Sequence, residues 1–344
     1  MSMTTGEPRR PKLADVARLA GTSTAVVSYV INDGPRPVSA STRERVLKVI
    51  AETGYRPSRA ARALRSQRQS FIGLVVPGMA DPFYVQLAQE VEAAALRRGY
   101  LTMTGNSGFS TDQERALLAG LLDEGVAGVI VAGLGNSKEL HALLTAAPTR
   151  AVFLHNRPEG VDGALVTVDN RAWSRRATDH LFDHHGCPTV ALLTHDDDEG
   201  PVGERTRGWR DAVQARATAG AEHIIRSRHD RQSASRAMSD WLSLPDRPRA
   251  VFAATDELAF GALHAAGKLG LRIPEDLAII SFDGVFETAT TVPELSTITE
   301  PFEEMGERAV ELLLERTDDN GVHYFECAPV YRASCGCAAD VTPG

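Results

Sequence analysis

No apolar stretch in this 344-residue chain comes near the ~20 residues that a membrane-spanning helix needs. The basic first residues, MSMTTGEPRRPK, are followed by no apolar signal-peptide core, so no secretory leader is expected. Cysteine is scarce: Cys187, Cys327, Cys335 and Cys337 make no disulfide framework, and reduced thiols in a cytoplasmic protein are the simplest reading. Cys335-Gly336-Cys337 has the wrong spacing for a zinc knuckle. His180, His184 and His185, even taken with His195 and Asp196-Asp197-Asp198, read as a charged, solvated surface, so no metal is expected. There is no Gly-x-Ser-x-Gly elbow and no HExxH. Gly133-Leu134-Gly135 follows a strand pattern but lacks the third glycine and the Lys/Ser of a phosphate loop. No catalytic residue and no cofactor are therefore expected, and the chain does not read as an enzyme.

What remains is a soluble globular composition, 43% hydrophobic, in a chain long enough for two or three domains. The formal net charge of −8 conceals an asymmetry. Up to Ser70 there are thirteen Lys/Arg and five Asp/Glu, a balance of +8 that leaves −16 for the rest. A basic head on an acidic body fits a head that binds a polyanion and a body that avoids one.

Within that head, Leu13 to Asn32 reads LADVARLAGTSTAVVSYVIN. Leu13, Val16, Ala17 and Ala20 share one face of a first short helix, and Val26, Val27, Val30 and Ile31 share one face of a second. They meet at Gly21, and Ser23 stands where the second helix needs an N-cap. Two helices joined by a tight glycine-containing turn make a helix-turn-helix, whose second helix fits the DNA major groove. An ordinary helical hairpin in a core is the alternative for this segment alone. After the break Asp33-Gly34-Pro35-Arg36-Pro37, a third helix is expected over about Ser41–Thr53, capped by Ser39 or Ser41, with Val46, Val49 and Ile50 inward and Gly54 ending it. Residues 1–58 thus form a headpiece, and 59–70 hold a short Ala/Arg/Leu segment, Arg59 to Arg65, with a polar linker.

From Phe71 the pattern changes. Strand-like runs at Phe71–Val76, Leu101–Thr104, Val129–Ala132, Ala151–His155, Val166–Val168, Val190–Thr194, Ala250–Ala253 and Leu277–Phe282 alternate with helix-length amphipathic segments. Such alternation argues for parallel sheets covered by helices, here split into two α/β lobes over residues 71–344. Ligands of such folds sit at the carboxyl ends of the strands, between the lobes in this case.

At this point the chain resembles the lactose-repressor/galactose-repressor family of bacterial transcription factors. The resemblance rests on LADVARLAGTS…VS.VIN, TRERVL..I.ETGYRPS.AARALR, FIGLVVP, ADPFY, LLDEGVAGVIVAG, VTVDNR, ERTRGWRDAV, ATDELAFGAL, LGLRIPEDLAIISFDG and LSTITEPFEEMGERAVELLLE, ten motifs in the family's order over nearly the whole chain. It implies an all-α helix-turn-helix headpiece, a hinge helix, and a two-lobed core like a periplasmic sugar-binding protein. Three crossings near Val168, Ile298 and Cys327 would make the lobes discontinuous, the N-lobe about 71–168 and 299–327, the C-lobe about 169–298 and 328–344. The implied partners are double-stranded operator DNA, a sugar-like effector and a second copy of the chain, with no membrane. The tail RASCGCAADVTPG has no apolar heptads, so a dimer is expected rather than a tetramer.

On the recognition helix, position places Thr24, Ala25, Ser28, Tyr29 and Asn32 outward, with Thr24 and Ala25 first at the base edges. Both are too short for a bidentate base pair contact. Ser23, Ser28 and Asn32 suit phosphates. Many family members have Arg where this chain has Tyr29, and Thr or Ser where it has Lys12. Lys12 loses the cap to helix 1 but adds a phosphate contact. Leu64 falls where the family wedges a leucine into a central base step, with Arg62 and Arg65 to meet phosphates. In the core, the resemblance implies effector contacts from Phe83 and Tyr84, which follow the first strand, from Arg205 and from Asp283, with Asp256 contributing. It places His155 and His229 at looser cleft positions, where solvated loop histidines are the alternative.

Overall fold

The computed structural model describes residues 11–32, 34, 36–55, 71–133, 138–146, 149–196, 199–216, 222–315 and 319–337. The segment Arg59–Arg65, expected as a hinge helix, lies outside the described residues. The chain divides into two units, Met1–Arg68 and Gln69–Gly344.

The first unit contains α1 (Leu13–Leu19), α2 (Thr24–Asn32) and α3 (Ala40–Thr53). Lysine has no acceptor, so Lys12 cannot cap α1 through its side chain. Instead Asp15 reaches back and its carboxylate accepts from the Lys12 N–H at 2.9 Å. Ser23 Oγ accepts from the Val26 N–H at 3.3 Å, satisfying a free amide of α2. Ser39, one of the two expected caps, caps α3, which begins one residue earlier than expected, and Gly54 ends it in a left-handed conformation. Val16, Ala17, Ala20, Val27, Val30, Val46, Val49 and Tyr55 are buried together. Arg45 Nε donates to the Ala20 carbonyl at 3.0 Å and ties α3 to the end of α1.

The second unit holds two six-stranded sheets. In the N-lobe, β1 (Phe71–Val76), β2 (Leu101–Asn106), β3 (Val129–Val131), β4 (Ala151–Leu154), β5 (Ala164–Val168) and β11 (Val322–Phe325) lie in the order β11-β5-β4-β3-β1-β2. Every pairing there is parallel. In the C-lobe, β6 (Ala191–His195), β7 (Ile224–Ser227), β8 (Ala250–Ala253), β9 (Ala278–Asp283), β10 (Ser296–Thr299) and β12 (Ala328–Val330) lie in the order β12-β10-β9-β8-β6-β7, with only the edge strand β12 antiparallel. Helices α4 (Pro82–Arg97), α5 (Thr111–Asp123), α6 (Lys138–Ala146) and α11 (Phe302–Leu314) belong to the first lobe. Helices α7 (Asn170–Asp183), α8 (Gly200–Gln214), α9 (Arg231–Leu242) and α10 (Asp256–Lys268) belong to the second.

The chain passes between lobes after Val168, between Thr299 and Phe302, and between Phe325 and Ala328. Inner strands such as AVFL, AVFA and AIISFD are buried along their whole length, because helices cover both sheet faces. Four strands, β7, β10, β11 and β12, stand outside the runs that sequence patterning singled out. The edge strand β11 is half exposed, β12 carries Pro329, and β10 is the Ser/Thr-rich STIT.

Candidate functional site

Where the strands of both sheets end, the turns converge on a cavity of about 680 Å3 between the lobes. Phe83 and Tyr84 reach it from the start of α4, Phe109 from beyond β2, and His155 from the end of β4. Across from them stand His195 at the end of β6, Arg205 on α8, His229 beyond β7 and Asp283 at the end of β9. Both sheets reverse their strand order beside their central strands, at β1/β3 and β6/β8, and the cavity lies at the carboxyl ends of those strands.

Backbone strain is concentrated in the same place. Among the described residues, three non-glycine positions have left-handed φ: Phe109 at 58°, His155 at 65° and Asp283 at 119°. All three line the cavity. Such conformations persist only where surrounding structure enforces them, and they mark sites where side-chain direction matters more than local comfort. Gly284, at φ 80°, enforces the last of them: a Cβ there would meet the Thr299 Cα at 2.4 Å, so only glycine lets β9 turn against β10.

Arg205 is the electrostatic centre. It is 2% exposed, and four of its N–H groups are committed. Nε donates to Asn170 Oδ1 at 2.8 Å, Nη1 to the Ala254 carbonyl at 2.8 Å and to Asp283 Oδ1 at 2.6 Å, and Nη2 to Glu300 Oε1 at 2.8 Å. Its guanidinium lies 3.8 Å over the Phe282 ring. Burial pushes the carboxyl of Glu300 up to about 8 against the pull of Arg205. Burial raises Asp283 as well, again opposed by Arg205. One buried cation therefore organises two carboxylates that desolvation drives toward protonation. Glu300 does not line the cavity, but its contact with Arg205 makes it part of the same unit, and sequence reading did not single it out.

Asp256, expected in the cleft, does not line it. It is 1% exposed, and its carboxylate accepts from Ser281, from Thr297 Oγ1 at 2.8 Å, and from the Gly284 and Val285 N–H groups at 2.7 and 2.8 Å. Its work is to hold the turn that carries Asp283. The position gave the wrong role because a carboxylate opening α10 and one facing a ligand look alike in sequence.

The histidines divide by environment. The side chain of His155 is buried, and burial, aided by the Arg205 charge, lowers its pKa to about 3, so it stays a neutral imidazole. Its two ring nitrogens and Glu300 Oε2 find no hydrogen-bond partner, with His155 Nε2 and Glu300 Oε2 3.5 Å apart. Its ring packs edge-on against Phe83, centroids 4.9 Å apart. His229 reaches across the cleft, its Nε2 2.9 Å from Asp81 Oδ2, while Asp81 Oδ1 accepts from the Phe83 N–H and caps α4. Burial alone lowers the His229 pKa, but the hydrogen bond and charge of Asp81 outweigh it and raise the pKa overall. Asp81 is thus a cap in one lobe and an anchor for the other, a role that its place in ADPFY does not reveal.

In the N-terminal unit, Lys12, Ser23, Thr24 and Ala25 are exposed, and Ser28 and Tyr29 are half-buried. Tyr29, expected to face outward, packs its ring against Gly34, where a Cβ would meet the Tyr29 Cδ1 at 2.3 Å. Asn32 closes α2, and its side chain lies outside the described residues, as do Arg62, Leu64 and Arg65. Elsewhere, His180 and His185, which read from sequence as solvated surface, come together with Cys335 and Cys337, whose spacing reads as wrong for a zinc knuckle.

A helix-turn-helix unit followed by a two-lobed, ligand-cleft core defines a class: DNA-binding regulators with a small-molecule sensor. Likeness to known proteins takes this further. Residues 12–58 match the bacterial regulatory proteins of the lacI family, and residues 178–335 match a periplasmic binding protein-like domain. Over 309 residues the chain is 32% identical to the HTH-type transcriptional repressor PurR of Vibrio vulnificus, covering 89% of this chain and 92% of that protein. The chain belongs to the lacI family of bacterial regulatory proteins, which are transcription regulators and not enzymes. Among solved structures, the lac repressor dimer bound to operator and the anti-inducer ONPF shares the fold, with a TM-score of 0.82 at 24% identity over 95% of this chain and 99% of that one. The transcriptional regulator CelR in complex with cellobiose aligns with a TM-score of 0.70 at 29% identity, over 94% of this chain and all of that one. None of the helices among the described residues is long and apolar enough to cross a membrane.

Proposed function

We propose that this protein represses transcription in the cytoplasm as a homodimer on a pseudo-palindromic operator, and that a sugar or closely related polyhydroxylated metabolite in the inter-lobe cleft sets its affinity for DNA. The observation that carries the effector class is the pairing of Arg205 with Asp283 at the mouth of a strained strand end, beside the aromatic faces of Phe83, Tyr84 and Phe109. A carboxylate accepts from hydroxyls, a guanidinium donates to them, and aromatic faces cover the apolar side of a sugar ring. The complex of CelR with cellobiose fits that chemistry.

Ser23, Thr24, Ala25, Ser28 and Tyr29, with Lys12, are assigned to DNA, as are Asn32, Arg62, Leu64 and Arg65 on position alone. Phe83, Tyr84, His155, Arg205, His229 and Asp283 are assigned to the effector. The headpiece is residues 1–58, and 59–70 connect it to the core. A dimer accords with apolar side chains such as Phe286 and Tyr324, which are 63% and 69% exposed on the isolated chain.

Two measurements test the reading. Gel shifts against the DNA upstream of its own gene should show a two-fold complex whose affinity falls by about a decade or more between ~50 and ~200 mM salt. A thermal-shift screen of sugars, polyols and nucleobases should then pick out a stabilising ligand from the first two groups. Salt-insensitive DNA binding contradicts the operator assignment, and stabilisation by nucleobases alone contradicts the effector class.

A further inference from the structure

Far from the cleft, the first helix of the C-lobe and the last segment of the chain meet. His180 lies on α7, and His185 follows just beyond its end. Cys335 closes a short 3-10 turn, Ala333–Cys335, and Cys337 stands two residues on. The His180 and His185 Nε2 atoms are 3.0 Å apart. Cys337 Sγ lies 3.5 Å from each of them, and Cys335 Sγ lies 3.9 Å from His180 Nε2. All four atoms fall within 4.8 Å of one another. Tetrahedral zinc with Zn–S near 2.3 Å and Zn–N near 2.05 Å requires N···N of about 3.3 Å, N···S of about 3.6 Å and S···S of about 3.8 Å. The His180–His185 separation and the distances from Cys337 to both histidines and from Cys335 to His180 match that polyhedron to within a few tenths of an ångström.

We propose that His180, His185, Cys335 and Cys337 form a closed, four-coordinate Zn2+ site that clips the C-terminal segment to α7. Two soft sulfurs and two imidazoles select zinc over harder cations such as Mg2+ or Ca2+. The surroundings are built for it. Tyr331 stacks on His180 with ring centroids 3.6 Å apart and planes 8° from parallel, which fixes the imidazole's orientation. Gly336 has φ 101°, a conformation that L residues with a side chain rarely adopt, so glycine is what lets the chain turn between the two cysteines. Cys335 is 1% exposed and the other three are half-buried, leaving a closed ligand set suited to structure rather than catalysis. On binding, each thiol loses its proton to solvent as its Zn–S bond forms, with no change of redox state. The clip joins residues 150 or more positions apart and so ties the two ends of the discontinuous C-lobe together.

Full-length protein purified without chelator should contain about one zinc per chain by elemental analysis. Apo protein should take up one Co2+ with the visible ligand-field and thiolate charge-transfer bands of a tetrahedral S2N2 site. Zn2+ should displace those bands and raise the unfolding temperature of the apo protein. Cys337→Ser and His185→Gln should lose the Co2+ spectrum, whereas Cys187→Ser should keep it. No Co2+ bands, an unfolding temperature indifferent to Zn2+, or a Cys335–Cys337 disulfide in the freshly purified protein would each overturn it.

Discussion

Removing the Arg205 guanidinium would leave Asp283 and Glu300 buried without their shared cation. Breaking a buried ion pair by deleting one partner costs about 3–5 kcal/mol. Arg205→Ala should therefore lower the denaturation midpoint sharply, and this would show in urea unfolding before any ligand assay is read. From sequence alone, Arg205 reads simply as a hand for the effector, whose loss would spare the fold. Four committed donors and near-complete burial make it a keystone as well. Asp283→Asn is the cleaner probe. Asparagine tolerates positive φ and keeps the shape, so the fold and operator binding should persist while the effector response weakens. A wild-type effector titration in that variant would show that Asp283 does not touch the ligand. The His229–Asp81 bridge yields a pH signature. A raised folded-state pKa means that stabilisation is fully present below the ordinary value of 6.5 and is lost as pH rises through the raised one. His155 acts in the opposite sense, since its lowered pKa makes the fold lose stability as pH falls from 6.5 toward about 3. His229→Gln should flatten the upper arm of the stability–pH profile and leave the lower arm in place.

Among elements, the helix pair was legible because each of its signals is local. Ser23 caps the helix it precedes, and Val16, Ala17, Val27 and Val30 repeat at helical spacing and are buried. Inner strands were equally plain, because burial on both faces demands unbroken apolar runs. What escaped was relational. The strand β10 is short and Ser/Thr-rich, yet Ser296 and Thr297 are fully buried because Ser281, Ser334 and Asp256 supply their hydrogen bonds. Asp81, Glu300 and the His/Cys cluster gain their roles from neighbours far away along the chain, 148 positions for Asp81, 95 for Glu300 and 155 for Cys335. No spacing rule reaches that far. At this scale Ser23→Ala should cost the headpiece about 1 kcal/mol through the lost cap, measurable as a lower midpoint for the helical signal. Leu64→Ala should weaken binding to the operator more than to random DNA, since a wedge gains only where a central step unstacks readily. Equal losses on both DNAs would remove the wedge from Leu64.

For the whole molecule, the cleft and the headpiece communicate only if each ligand distinguishes the same two states. The cleft supplies one such pair, because Asp81 and His229 sit on opposite lobes and an effector between Phe83, Tyr84 and Asp283 would change how the lobes stand. Residues 59–70, proposed to connect headpiece and core, would supply the other. A hinge helix as short as the one the family resemblance implies for Arg59 to Arg65 would be marginal alone and would gain order from a partner copy and from DNA. If these two elements share one equilibrium, linkage fixes the outcome quantitatively. An effector that weakens operator binding by some factor must bind the operator complex more weakly by the same factor, typically ~5–150-fold. The measurement is a pair of titrations: operator affinity at zero and saturating effector, and effector affinity with and without operator. Equal factors establish coupling through the chain. Unequal factors at equilibrium would mean that the effector acts on a different species, such as the monomer, and protein concentration would then shift the apparent response. His229→Gln gives a further reading of the same cycle. Freeing one lobe from the other alters the balance of open and closed forms, so the variant should change both affinities while leaving the headpiece's own contacts with DNA untouched.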